Sequence, residues 1–265
     1  NDKVDVHNIH YYAGPDHFTG EWNYPSLITD NNLSIDTLFI HLSQRMYEWS
    51  FMTFPYDIDR AVLECNSEFV VRYYDGQIRA NNGEGGWQNV PVGQLLLNGK
   101  GYIFQSANGD TLTMTFPKPN LPNKDIAVPL YQYNSVNPWD ANWNMVGNPF
   151  LAYFDMNALT GFTYPVVAWN GYGYDTYRPG DDEYHFKPLE SFFIQNVDLT
   201  KLNFPIDGRE TLTQAKSKLF SAPARRNTDS PTTRFIVNIN LSDSTYTDRT
   251  RVVFNNQASV DYEMG

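Results

Sequence analysis

Trp143-Asn144-Met145-Val146-Gly147-Asn148-Pro149-Phe150 decides how this chain is read, because Trp49-Ser50-Phe51-Met52-Thr53-Phe54-Pro55-Tyr56 repeats its spacing. In both stretches Trp and Pro stand six apart, a small polar residue follows the Trp and an aromatic follows the Pro. Further landmarks follow in the same order. Val70 to Gly76 answers to Val166 to Gly171, Gly101-Tyr102-Ile103-Phe104-Gln105 to Ser191-Phe192-Phe193-Ile194-Gln195, and Phe116-Pro117 to Phe204-Pro205. The offset is 94 residues from Trp49 to Trp143, 95 from Gly76 to Gly171, 90 from Gln105 to Gln195 and 88 from Pro117 to Pro205. Ordered matches with a slowly drifting offset point to two tandem copies of one unit of about ninety residues.

The copies are built of strands. Thr111 to Phe116 alternates Thr with Leu112, Met114 and Phe116, and Val4 to His10 alternates in the same way, the period of a strand with one buried face. Asp75-Gly76 and Asn170-Gly171 close strong apolar runs and read as hairpin turns. Many short strands between Gly, Pro and Asn turns predict an all-β chain: two tandem related β-sandwich-like units followed by the start of a further β-sandwich. The expected divisions are residues 1–45 as N-terminal strands of a preceding or extended β module, 46–118 as copy one and 119–207 as copy two. A Pro-bearing linker is expected over 208–233 and an incomplete C-terminal β domain over 234–265.

Composition narrows the function. The chain has 265 residues, 41% hydrophobic and 15% aromatic, with eighteen Tyr against six Met, which suits a pleated, half-buried surface. A net charge of −11 with no basic stripe argues against nucleic acid as a partner. No apolar run approaches the ~20 residues of a transmembrane helix. Both ends read as cut from something longer, so a targeting signal is expected outside the sequence. Cys65 stands alone, which excludes an internal disulfide framework, and is expected as a buried small hydrophobe.

Trp143 to Phe150, the turn Trp169-Asn170-Gly171 and the strand Pro188 to Gln195 together resemble a module of extracellular Bacteroidetes proteins. That module reads Trp-Asn-Leu-Ile/Val-Gly-Asn-Pro-Tyr/Phe, then an aromatic-Asp/Asn-Gly turn, then Pro-x-x-x-Phe-Phe-Val/Ile-Gln. Arg45-Met46-Tyr47 with Phe54-Pro55-Tyr56-Asp57 resembles its upstream half. Thr247 to Thr250 and Tyr262 to Gly265 resemble the C-terminal β domain that follows it. Leu151-Ala152 departs from the small or Pro residue usual there. The resemblance implies a large secreted or outer-membrane surface protein, as in type IX secretion cargo or surface lipoproteins, and implies no catalytic residues.

Candidate sites are few. Trp169, Tyr172, Tyr174 and Tyr177 form the best ligand-binding strip, since aromatic faces beside Asp175, Asp181 and Asp182 suit the C–H faces and hydroxyls of sugars; the alternative is a Tyr loop packed on its own sheet. The Trp/Pro motif offers a stacking platform for sugar rings as one reading; the favoured one takes Trp49 and Trp143 as core anchors. Asp181, Asp182 and Glu183 are weak candidates for Ca²⁺, without a Gly-spaced loop, and His7 and His10 stand three apart, the wrong spacing for one strand face and for zinc. No catalytic motif is visible; Asp57, Asp155 and Glu190 are the carboxylates nearest the landmarks. The sequence thus predicts no cofactor and a non-enzymatic cell-surface module acting in adhesion, display or scaffolding, with other surface proteins or glycans as partners. The alternatives are a glycan-binding module using the Tyr/Trp strip, or an accessory part of a carbohydrate-active enzyme or protease.

Overall fold

A computed structural model describes residues 4–15, 22–28, 33–43, 49–107, 111–170, 173–196, 198–211, 234–242 and 247–255. Strands dominate, with one short helix, so the chain is all-β. It divides into two compact units, Asn1–Ser221 and Ala222–Gly265.

In the first unit, β1 (Val4–Pro15), β2 (Trp22–Asn23) and β3 (Leu33–Ser43) precede the first Trp/Pro motif. Then come β4 (Ser50–Met52), β5 (Ile58–Asp59), β6 (Glu64–Cys65), β7 (Phe69–Tyr74) and helix α1 (Gly76–Asn82). They lead to β8 (Trp87–Asn89), β9 (Leu95–Leu96), β10 (Tyr102–Ser106) and β11 (Thr111–Pro117). The second half holds β12 (Ile126–Pro129), β13 (Trp143–Gly147), β14 (Tyr153–Asp155), β15 (Val166–Trp169) and β16 (Tyr174–Tyr177). It ends with β17 (His185–Phe186), β18 (Ser191–Gln195), β19 (Lys201–Phe204) and β20 (Arg209–Glu210). The described residues of the second unit are β21 (Arg234–Ser242) and β22 (Thr247–Asn255), which pair antiparallel.

The two halves of the first unit share one wiring plan. The sheet β4-β10-β7-β8 has the strand order of β13-β18-β15-β16. Its cross-strand row Phe51–Ile103–Arg72–Asn89 answers to Met145–Phe193–Val167–Thr176. That register sets Arg72 against Val167 and Val71 against Val166, one residue away from the start of the sequence alignment. The pairing of Ile58 with Leu96 likewise answers to that of Phe154 with Phe186.

Two divisions expected from sequence also fall elsewhere. β3 pairs with β11 through Leu38 and Phe116, as β12 pairs with β19 through Ile126 and Phe204. The strand placed before copy one therefore holds the position that opens copy two; without a Trp/Pro motif of its own it could not be aligned by sequence. At the other end, Gly208 to Glu210, expected in the linker, belong to the body. Gly208 is buried against Phe154, and β20 pairs with β14. The buried Glu210 carboxylate stands 2.8 Å from His185 Nδ1. Most of the remaining expected linker, 212–233, lies outside the described residues.

Asp75 also behaves differently from its hairpin reading. Its carboxylate accepts from the backbone of Gln77 and Ile78 and so caps α1. Asp serves hairpin turns and helix N-caps alike, and the polar run Gly76 to Asn82 has no apolar period to mark a helix. Asn170 keeps its turn role, with its side chain accepting from the backbone of Gly173.

Within the first unit the sheets are arranged in a propeller-like succession. Tyr102 and Phe104 of β10 enter one core with Phe54, Leu38, Ile40 and Phe116. Phe192 and Ile194 of β18 enter a second with Phe154, Phe186 and Phe204. Between them, Ile103 from β10 meets Met145 and Phe193, with Trp49, Phe51, Tyr74, Trp87, Trp143 and Val167 packed around. β10 and β18 are therefore buried on both faces. Each fully buried Phe contributes roughly 1.5–3 kcal/mol by its transfer from water.

The Trp/Pro motif itself is structural. Buried Asn148 donates from Nδ2 to the carbonyls of Ala152 and Lys187 and accepts from the Phe150 amide. Asn144 ties its strand to Tyr131 through two hydrogen bonds, accepting from that residue's amide and donating to its carbonyl. Gly147 lets the halves touch: a Cβ there would stand 2.6 Å from Thr53 Cβ and 3.2 Å from the Glu190 carbonyl. Cys65 is only half-buried, and burial raises its thiol pKa to about 12 against the opposing charge of Arg60.

On the outer face of the β1/β3 sheet, His10 Nδ1 lies 3.0 Å from His41 Nε2, and Tyr12 stacks on His41 at 4.2 Å. Burial, then the neighbouring His10, lowers the His41 pKa. A depressed histidine pKa gives stability that is present above the ordinary value of 6.5 and lost as pH falls through the folded value. Unfolding titrations at pH 7.5 and 5.5 should show wild type losing stability on acidification, and His41→Gln losing less. Gly147→Ala should cost about 1–3 kcal/mol in urea denaturation through overpacking. Gly173→Ala, with nothing within 4 Å of the added Cβ, should change stability by less than about 0.5 kcal/mol.

Candidate functional site

Alternation along the strands that cover Ile103 and Phe193 sends a set of large side chains to one edge of the layer between the halves. There Trp49, Phe51, Arg72, Trp87 and Ile103 from the first half meet Trp169 and Tyr174 from the second, around an open groove of about 470 Å³. Phe51 and Ile103 are adjacent cross-strand partners, and so are Ile103 and Arg72, so three lining residues form a single row. Trp87 and Tyr174 project from the two edge strands β8 and β16.

Phe51 is the hub of the ring contacts. Trp87 lies nearly parallel to it at 6.1 Å, and Tyr174 likewise at 6.1 Å on a 24° tilt. Trp169 meets it edge-on at 5.7 Å and Tyr174 edge-on at 5.0 Å. Offset and edge-to-face arrangements of this kind are favourable beyond the area they bury and hold rings in set orientations. Tyr174 remains 55% exposed, so the groove opens to solvent there. Partial burial nevertheless raises its phenol pKa, which keeps the hydroxyl protonated and able to donate near neutral pH.

Arg72 is the one charged residue among the described residues of the lining. Its Nε donates to Asn89 Oδ1 at 2.9 Å, and its guanidinium carbon lies 4.9 Å from the centre of the Trp49 ring. Among the described residues the groove thus combines four large aromatic side chains besides Phe51 with one positioned cation and no carboxylate.

The matched wiring makes a counterpart groove conceivable at Trp143, but that place is occupied. Only four residues separate β15 from β16, whereas α1 sits between β7 and β8 and packs onto β13. A Cβ on Gly76 would stand 2.3 Å from the Trp143 carbonyl oxygen. Arg79 reaches Asp140 at 2.7 Å, and Trp143 Nε1 donates to the Trp139 carbonyl. Tyr74 lies edge-on to Phe193 at 4.9 Å. The helix present only in the first half closes one side and leaves the other open.

Of the residues picked from sequence, Trp169 and Tyr174 stand together in the groove. Tyr177 points to the opposite face of β16, stacked on Tyr184 at 4.0 Å and packed on the second core. Tyr172 lies outside the described residues. Asp181, Asp182 and Glu183 occupy a turn in which the Asp182 carboxylate accepts from the Arg178 amide. Among the described residues no group of three or more His, Cys, Asp or Glu could hold a metal ion. His7 stands by Asp36 and His10 by His41, in separate pairs. Asp57 accepts from the Asn98 amide, Asp155 from the Asn157 amide, and Glu190 from the Tyr184 hydroxyl and the Lys187 amide. These carboxylates hold turns and strands together.

Trp49, expected as a core anchor with a sugar-stacking platform as the alternative, packs on the central layer and also lines the groove, whereas Phe51, Arg72 and Trp87 carry no site reading from sequence. A signal for them existed: Arg72 interrupts Val70-Val71-Arg72-Tyr73-Tyr74, where the second half carries Val167. Tyr174→Ala should alter stability by no more than about 1 kcal/mol, because the side chain lies at the open lip. Phe193→Ala, beneath the groove and buried, should cost about 3–5 kcal/mol in chemical denaturation. No protein-family model, curated protein or solved structure matches this chain.

Proposed function

We propose that this chain is a non-catalytic, glycan-binding module of a Bacteroidetes cell-surface or secreted protein, with the aromatic groove as its binding site. The carrying observation is an open groove lined by Trp49, Trp87, Trp169 and Tyr174, with no carboxylate among the described residues of its lining. Sugar rings present apolar C–H faces that pack on aromatic surfaces, while their hydroxyls take hydrogen bonds from groups at the rim. Glycoside hydrolysis asks for two carboxylates flanking the scissile bond; the aromatic lining serves holding instead of cleaving. On this reading the body is a duplicated β-sandwich unit displayed outside the cell.

A pure scaffold or display role is the second reading. It is favoured by the Trp/Pro motif, whose Asn144, Gly147 and Asn148 serve packing and turns. Under that reading the groove holds no sugar and the partners are other surface proteins.

Glycan-array screening followed by calorimetry decides between them. Binding is expected at a Kd of roughly 10 μM to 1 mM, the span of about −7 to −4 kcal/mol. Trp87→Ala and Tyr174→Ala should each weaken it about tenfold, equivalent to about 1.4 kcal/mol, while Tyr177→Ala should leave contact with the sugar unchanged. Absence of saturable binding across the array, or equal binding by a folded Trp87→Ala/Tyr174→Ala variant, would remove the groove from the glycan reading.

A further inference from the structure

Arg72 is oriented more tightly than a surface cation needs to be. Asn89 holds its Nε, the Trp49 ring covers one face of the guanidinium, and Ile103 is its neighbour across the sheet. In the matched row of the second half the same place holds Val167, so the strand does not require a charge there. No carboxylate among the described residues forms an ion pair with Arg72. A guanidinium held by its Nε and one face keeps the two Nη groups as a pair of parallel donors, a geometry that matches a carboxylate. The net charge of −11 makes the protein as a whole repel anions, so attraction of one must be local and short-range.

We infer that the groove selects sugars bearing a carboxylate, with Arg72 reading the carboxylate and the aromatic rings holding the sugar face. This rests on the glycan reading of the groove and adds the chemical class of its ligand. Uronate residues of acidic polysaccharides and sialic acids of glycoproteins share that chemistry.

The test is calorimetry on the full chain with matched pairs: oligogalacturonate against its methyl ester, and sialyllactose against lactose. The acid member of one pair is expected to bind at least about tenfold more tightly, and which pair responds names the source. Its affinity should fall when salt rises from about 0.05 to 0.3 M, as a charged contact at a half-exposed site is screened. Arg72→Gln should abolish the preference for the acid while keeping weak binding of the neutral member. Arg72→Lys, which keeps the charge and loses the fork, should fall between. Thermal melting checks that each variant is folded; if Arg72→Gln unfolds, Arg72→Lys carries the test. Equal affinity for acid and neutral members, unchanged in a folded Arg72 variant, would overturn the acidic preference and leave the glycan reading intact. Failure of every sugar to bind, or saturable binding of an acidic peptide in their place, would overturn both.

Discussion

The close backbone contact between the two halves of the first unit is the constraint on which the rest depends. It is made twice, reciprocally. The Thr53 amide donates to the Leu189 carbonyl at 2.8 Å, and the Gly147 amide donates to the Gly99 carbonyl at 2.8 Å. Met52 bridges to Glu190 as Lys100 bridges to Val146. Such contact brings main chain against main chain, and only glycine leaves room: a Cβ on Gly101 would lie 2.5 Å from Met145 Cγ and 2.9 Å from its carbonyl carbon. Gly101 and Gly147 occur where the chains approach because a side chain would hold the sheets apart and open the layer between them.

Once the sheets are held at that distance, their facing residues must fill the space, and large rings do so. Phe193 receives Tyr74, Trp87, Trp143 and Tyr174 edge-on. Flat, rigid side chains bury much area at a small loss of rotamer freedom, which suits a layer with few aliphatic residues. The same rings reach the rim of the layer, where they are no longer covered. A groove with an aromatic wall is thus a consequence of ending an aromatic layer at an open edge.

Asymmetry within near-symmetry then sets the number of sites. Matched wiring would supply two equivalent rims, yet α1 with Arg79 and Asp140 covers one of them. The Arg79–Asp140 pair is shielded on the Asp140 side, where the carboxylate is also held by Asn137. A half-buried ion pair with extra hydrogen bonds is better placed to hold an insertion than a fully exposed one. Two of the differences between the copies, the β7–β8 connection and the Arg72/Val167 position, bear on the groove.

Much of the architecture was legible in the sequence. Alternation in Thr111 to Phe116, the turn residues Asn170-Gly171 and the ordered landmarks from Trp49 to Pro205 determined all-β structure and an internal correspondence between halves, because these signals are local or repeat at a fixed distance. The place of β3 was not legible, since a strand's partner is chosen by complementary faces far apart in the chain. The helical state of Gly76 to Asn82 was hidden because its support comes from Trp143, Tyr133 and Asp140. For the groove, the sequence by itself determined that Trp169 and Tyr174 belong to one hairpin with aromatic faces available. Only the tertiary structure decided that Trp49, Arg72 and Trp87 join them: the groove lies between two sheets, and proximity across it is set by packing of one half on the other.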